Sequence, residues 1–275
     1  MQYLIYFLVG LPAGFVGGLL GTGGCVLMMP VIRFGFHFDP AIAVGTTLTA
    51  VVFTAGSGAY QHIKMGNVDG ETAALVGYSG ILGVIIGSIV FGYLKSYGKL
   101  IDLVVGLAFV LPSIRMLYEG LVVAPRQARL AAVAGGQAVG VTAADAVPQK
   151  VPGAPVSKSV LGSVIGFLTG IIGLGGGYAL VPSFLYILKG PMKLAIGTSM
   201  ASFIWMALVG AIFKLYQHVV DIPTAICLGI GAIIGALYGA KFVARVKTAT
   251  LKALFGAIFI YVAAKYILTY FGIAI

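Results

Sequence analysis

The chain has 275 residues, of which 60% are hydrophobic and only 9% charged. A soluble domain carries about 25% charged residues, so a water-soluble enzyme or binding module is excluded and an integral membrane protein is indicated. The net charge of +10 comes from 17 basic and 7 acidic residues. The basic residues are scattered between apolar runs, which assigns them to topology, lipid headgroups and the attraction of anions rather than to nucleic acid.

Several runs exceed the ~18 apolar residues of a spanning helix, and the ~10-residue alternating segments of a β-barrel are missing from the pattern. The expected fold class is therefore an all-α polytopic membrane protein, because only helices satisfy their own backbone in lipid without closing a barrel. In chain order, spans are expected near 3–32, 41–62, 71–94 and 99–118. The stretch 119–156, with Arg126, Arg129, Asp145 and Lys150, reads as an exposed linker loop. Further spans are expected near 157–189, 193–216, 222–244 and 248–271. The apolar N-terminal run has no basic residue before it and matches a later segment, so it reads as a retained helix. Cys25 and Cys227 lie in apolar sequence and read as packing thiols.

The second set of spans repeats the first. At an offset of 152, Gly14–Ser88 lies on Gly166–Ala240 without a gap, and roughly 20 of 75 positions are identical. Gly21, Gly23, Gly24 and Pro30 fall on Gly173, Gly175, Gly176 and Pro182. Gly45-Thr46-Thr47 falls on Gly197-Thr198-Ser199, and Val68-Asp69 on Val220-Asp221. With a two-residue shift, Gly106 and Arg115 meet Gly256 and Lys265. The expectation is two homologous halves of about four segments each, 1–118 and 157–275, with glycine-broken first helices.

The positive-inside rule places the short basic connections around Lys95/Lys99 and around Lys241/Arg245/Lys247/Lys252 together in the cytoplasm, with both termini outside. An even number of spans per half makes the halves parallel. Tyr3 to Ile32 would measure ~45 Å as a helix against a ~30 Å core, so it must break, tilt or turn back at its glycines; a re-entrant turn there is expected to leave the count even, and a true hairpin of two spans to make it odd and the halves inverted.

Gly21-Thr22-Gly23-Gly24 and Gly173-Leu174-Gly175-Gly176-Gly177 are the first candidate site. Breaking a helix at membrane depth leaves donors and acceptors unpaired, and the new helix presents free N–H groups and a positive dipole end that favour an anion. Tight helix packing is the competing explanation of glycine, and it is the better one for Gly83-x3-Gly87 and Gly235-x3-Gly239. Thr46, Thr47, Thr198 and Ser199 begin the second span of each half; an oxyanion pocket and ordinary interhelical bonds explain them equally. Arg115 and Lys265 near the ends of spans fit snorkelling somewhat better than substrate binding. Lys64 and Lys214 end the second and sixth spans, each near a glutamine and a histidine (Gln61 and His62, Gln217 and His218). The differing spacings give no metal signature; the histidines are candidates to carry a coupled proton, though interfacial placement explains them better. Asp69 and Asp221 are helix caps. No metal-ligand spacing, phosphate-binding Gly-rich loop or nucleophile–base pair is visible, so neither cofactor nor catalysis is expected.

The duplicated Gly-x-Gly-Gly, proline and Gly-Thr-Thr/Ser pattern resembles the TauE/SafE family of sulfite exporters, as does His62-x3-Gly66-Asn67-Val68-Asp69. The second half departs there (Tyr216-Gln217-His218-Val219), and Cys25 departs from Gly177 in the first glycine cluster. The resemblance implies a multi-pass protein of the bacterial inner membrane that moves small sulfur-containing anions such as sulfite, sulfoacetate and other organosulfonates, or related carboxylates. The expected function is thus secondary export of such an oxyanion, with membrane lipid and a coupling proton or ion as the other partners. An anion channel is the rival reading.

Overall fold

The computed structural model describes residues 2–123 and 150–271. Ten helices follow in order among these: α1 (Gln2–Leu20), α2 (Cys25–Pro30), α3 (Pro40–Lys64), α4 (Gly70–Leu94), α5 (Gly98–Tyr118), α6 (Pro155–Ile172), α7 (Gly177–Tyr186), α8 (Met192–Tyr216), α9 (Ile222–Phe242) and α10 (Thr248–Tyr270). All except α2 and α7 are long and apolar enough to cross a membrane, which makes the chain a multi-pass membrane protein. Local chemistry sets several boundaries. Asp39, Asp69 and Asp221 cap α3, α4 and α9 by accepting the N–H groups of Ala41, Thr72 and Thr224. Pro40 and Pro155 occupy first-turn positions where a missing N–H costs nothing.

The run expected as one span at 3–32 is a return loop. After Leu20 the chain turns at Gly21, Gly23 and Gly24, all with φ between 68° and 78°, a left-handed conformation that glycine adopts without a Cβ clash. α2 then runs back beside α1, so that Gly24 lies against the Ala13 carbonyl. Phe36 ends beside Tyr6, with ring centroids 4.8 Å apart. The run 157–189 does the same: α6 and α7 are separated by left-handed Gly173, Gly175 and Gly176, and Leu188 returns to Gly153. His37 and Lys189, at offset 152, take left-handed turns after the two loops.

Glycine carries the helix packing. Gly231, Gly235 and Gly239 of α9 lie against Phe7, Leu11 and Phe15 of α1, in parallel register. Gly83 and Gly87 of α4 lie against Ser163 and Phe167 of α6, also parallel. A side chain at any of these positions would strike backbone, so the helices approach more closely than larger residues allow. α3 and α8 cross antiparallel at the centre, where Gly58 meets Met200, Gly56 meets Ile204 and Gly210 meets Leu48. α5 and α10 are antiparallel too, with Gly106 against Ile267 and Gly256 against Leu117.

Segments related by the offset of 152 therefore run in opposite directions, and the expectation of parallel halves fails. The reason is the return loop: it brings the chain back to the end it entered from, leaving an odd number of full crossings before the linker. The same reversal separates the basic loops that were expected together. Lys95 reaches the Gln217 carbonyl at one end, whereas Lys193 reaches the Ala244 carbonyl at the other. Arg33, Lys95, Lys99, Lys214 and Lys265 belong to the end that holds both described chain ends. Lys64, Arg115, Lys150, Lys158, Lys189, Lys193 and the Lys241–Lys252 cluster belong to the opposite end.

The linker is shorter than read from sequence. Helical backbone continues through Glu119–Val123, and α6 starts at Pro155. Just before it, Val151 is buried and its N–H donates to the Asp69 carboxylate at 2.7 Å. The rest of the proposed loop, 124–149, lies outside the described residues.

Candidate functional site

The two return loops enter from opposite ends and their tips touch at the centre. A Cβ on Gly177 would meet the Gly21 carbonyl and lie 2.8 Å from the Thr22 Cα. Gly23 and Gly175 both face Val51 of α3 and Phe203 of α8, which are themselves related by the offset of 152. Val51 and Phe203 are fully buried, as are Thr22, Cys25, Leu174 and Tyr178. The contact is therefore sealed from both ends. Neither Val51 nor Phe203 carries a polar signal, which is why sequence reasoning passed over them.

The backbone at this contact is rich in unmatched donors. In the first break, Thr22 N–H bonds the Gly17 carbonyl at 3.0 Å. The N–H groups of Gly23 and Gly24 find no acceptor among the described residues, while those of Cys25 and Val26 face the Cys25 sulfur. The second break is better satisfied: Gly176 N–H donates to the Thr169 hydroxyl at 2.9 Å and Gly177 N–H to the Gly175 carbonyl. Where the second half has Thr169, the first has Gly17, so no side chain caps the first break. Thr22, Thr47 and Tyr178 each bury a hydroxyl with no hydrogen-bond partner. An unmet buried hydroxyl or N–H costs about 1–3 kcal/mol, so a ligand that accepts from such groups recovers that cost.

The four hydroxyl residues divide between the two readings left open by the sequence. Thr46 accepts the Asp221 N–H at 2.9 Å and Thr198 the Asp69 N–H at 3.0 Å. These are interhelical bonds that tie the starts of α3 and α8 to the caps of α9 and α4. Ser199 donates to the Gly21 carbonyl at 2.9 Å, bracing the first tip. Thr47, the counterpart of Ser199 at the offset of 152, is uncommitted.

His62, expected at the membrane interface, and Lys214, a candidate charge or proton partner, are fully buried. They are also exact equivalents at the offset of 152, a match hidden by the change of residue type. His62 Nε2 lies 3.0 Å from the Gly18 carbonyl, and Lys214 Nζ lies 2.8 Å from the Gly170 carbonyl. Lys214 also rests over the Phe91 ring, 3.1 Å from its centroid. Lys64 is exposed beside the Tyr60 ring, Lys265 lies over the Phe34 ring, and Arg115 is 62% exposed against Tyr186 and Glu119. These three stay away from the central contact. His218 sits in a left-handed turn at the place of Gly66, so the two connections share a conformation despite their different sequences.

Two further features escaped the sequence. A cavity of about 620 Å³ between α5, α6 and α7 runs from Arg115 and Tyr186 to Tyr178 at the start of α7. At the end bearing Lys193, Asp69 accepts from Thr72 and Val151, while Lys158 donates to the Thr72 hydroxyl and the Val151 carbonyl, each at 2.7 Å. Burial alone would push the Asp69 carboxyl up, but the bonds from Thr72 and Val151, with Lys158 nearby, hold it below the usual carboxylate value. No cluster of three or more His, Cys, Asp or Glu residues that could hold a metal occurs among the described residues.

Long apolar helices packed round two touching return loops define a membrane transport protein, with donors rather than reactive groups at its centre. The chain belongs to the family described as sulfite exporter TauE/SafE, whose family model matches residues 6–266. It is 27% identical over 265 residues to the "Probable membrane transporter protein YunE" of Bacillus subtilis (strain 168), covering 91% of this chain and 92% of that one. It is 28% identical over 258 residues to a "Probable membrane transporter protein" of Xylella fastidiosa (strain 9a5c), covering 91% and 89%. A third relative, the "Probable membrane transporter protein MJ0441" of Methanocaldococcus jannaschii, is 24% identical over 277 residues, covering 92% and 91%. No solved structure matches the chain.

Proposed function

We propose that the protein is a secondary transporter that exports a small sulfur-containing oxyanion, such as sulfite or an organosulfonate of sulfoacetate type, across the bacterial inner membrane. The observation that carries this reading is the meeting of two glycine breaks at a buried centre where the Gly23 and Gly24 N–H groups and the Thr22 and Tyr178 hydroxyls lack partners, as does the Thr47 hydroxyl near the start of α3. A tetrahedral or pyramidal oxyanion offers several acceptors to such a set of donors. Binding by N–H and hydroxyl dipoles leaves the anion without a fixed cation partner, which favours release. The proposed orientation puts the Lys189–Lys252 end in the cytoplasm and both described chain ends outside. An inside-negative potential then drives anion exit at about 2.3 kcal/mol per charge per 100 mV. The seal formed by Val51 and Phe203 favours a transporter that opens to one side at a time over a channel with a continuous pore.

The test is binding of sulfite, sulfoacetate, taurine, sulfate and acetate to the purified protein by thermal shift and calorimetry, repeated on Thr22→Val and Thr47→Val. Neither hydroxyl bonds the protein, so the variants should be as stable as the parent or more so without ligand. Sulfite or sulfoacetate should bind selectively and lose about tenfold in affinity, equivalent to about 1.4 kcal/mol, in each variant. Preference for acetate would move the substrate class to carboxylates. Unchanged affinity in both variants would take the breaks out of the site.

A further inference from the structure

We infer that His62 and Lys214 are a matched pair of latches, each closing one of the two routes between the central contact and the ends of the molecule. Each side chain reaches from the end of a central helix, α3 or α8, to a carbonyl in the last turn before a glycine break. Gly18 and Gly170 differ by 152, as do the two latch residues.

The positions follow from the crossing of α3 and α8. Val51 and Phe203 mark the centre. The first tip reaches past it, so that Gly21 packs on Ile196 and Ser199 near the start of α8. His62 lies beyond that tip, toward the Lys193 end, with Gly197 and the Asn67 carbonyl beside it. The second tip overshoots the other way, with Gly173 on Val44 near the start of α3. Lys214 lies beyond it, toward the opposite end. In this reading a solute leaving the centre along α3 and α8 passes one tip and the side chain that holds it, whereas the cavity lined by Arg115, Tyr186 and Tyr178 lies on the α5–α7 side.

The bonding is sparse for groups so deeply placed. His62 Nε2 must carry its proton to donate to a carbonyl, and its Nδ1 meets no partner. Lys214 has three donors but a single carbonyl acceptor, with the Phe91 face as its other support. A fully packed structural pair would satisfy these atoms; a latch that must let go does not need to.

Cys25 provides the reporter. It sits at the central contact, 0% exposed, with its Sγ donating to the Thr22 carbonyl. The half-exposed Cys227 is first replaced by serine, and labelling by a membrane-impermeant thiol reagent is timed from each face of oriented vesicles. The apolar variant His62→Leu should speed Cys25 labelling at least tenfold from the Lys193 end alone, and Lys214→Met from the opposite end alone. His62→Gln and Lys214→Arg, which keep a donor, should label as slowly as the parent. Acceleration from both ends, from the wrong end or from neither would overturn the inference. Where an apolar variant does not fold, the exchange His62→Lys with Lys214→His decides, because it keeps a donor at both places. Slow labelling from both ends supports the latches, and fast labelling from either removes them. The inference extends the transport reading to the access routes, but labelling needs no solute, so it stands or falls apart from anion binding.

Discussion

At the level of single residues, composition and spacing located the breaks but could not say which polar groups stay free. Thr46 and Thr47 are neighbours of one chemistry, yet one is committed to the Asp221 N–H and the other to nothing. That difference depends on a residue far along the chain and leaves no local trace. His62 and Lys214 were hidden for a related reason: their shared role is to donate to a carbonyl, which imidazole and ammonium do equally, so identity matching overlooks them. The Asp69 cap was legible as a helix start; its partners across the linker, Val151 and Lys158, were not. Its lowered value has a defined consequence. The stabilisation from the carboxylate is full above the ordinary aspartate range near ~4 and is lost as pH falls through the lowered folded value. Thermal unfolding in detergent should show Asp69→Asn less stable than the parent near pH 7, with the gap narrowing toward pH 3. A gap that widens on acidification would remove Asp69 from the acid limb.

Among the elements, the eight long helices were legible because each is an uninterrupted apolar run, whereas the return loops were not. A glycine cluster shows that a helix stops but not which way the chain leaves it, and that choice decided the direction of every later element. The first loop is held by a charge pair absent from its counterpart. Arg33, in the widened turn after α2, donates to both Asp102 oxygens on α5, at 3.3 and 3.0 Å, and to the Phe38 carbonyl at 3.0 Å. Asp102 is almost fully buried. Removing one member of such a pair strands the other, at a cost on the order of 3 kcal/mol. Asp102→Asn should therefore lower thermal stability markedly, and the double change Arg33→Met with Asp102→Leu should recover most of the loss. A double variant no better than the single would show that the pair itself, rather than the stranded charge, holds the loop.

For the molecule as a whole, parallel and inverted arrangements place one loop differently. Lys95–Tyr97 lies with the described chain ends, opposite the Lys189–Lys193 and Arg245–Lys247 connections. Single cysteines introduced at Tyr97 and at Lys247, probed with an impermeant reagent in oriented vesicles, should label from opposite faces. Labelling from the same face would restore the parallel arrangement and undo the assignment of the two access routes. Charge alone could not decide this, since both loops are short and basic, and only the helix directions separate them.

The exchange of partners between α1 and α9 bears on how the protein is made. α1 leaves the ribosome about 200 residues before the helix that covers its glycine face. At roughly 5–20 residues per second, that is a wait of roughly 10–40 s in the bilayer with a small-residue surface turned to lipid. α4 meets the same delay, on a shorter clock, before α6 arrives. The first half is thus an assembly intermediate rather than a finished domain. Anything that stalls synthesis between the halves leaves a segment with its principal docking face open, a substrate for insertases and quality-control proteases.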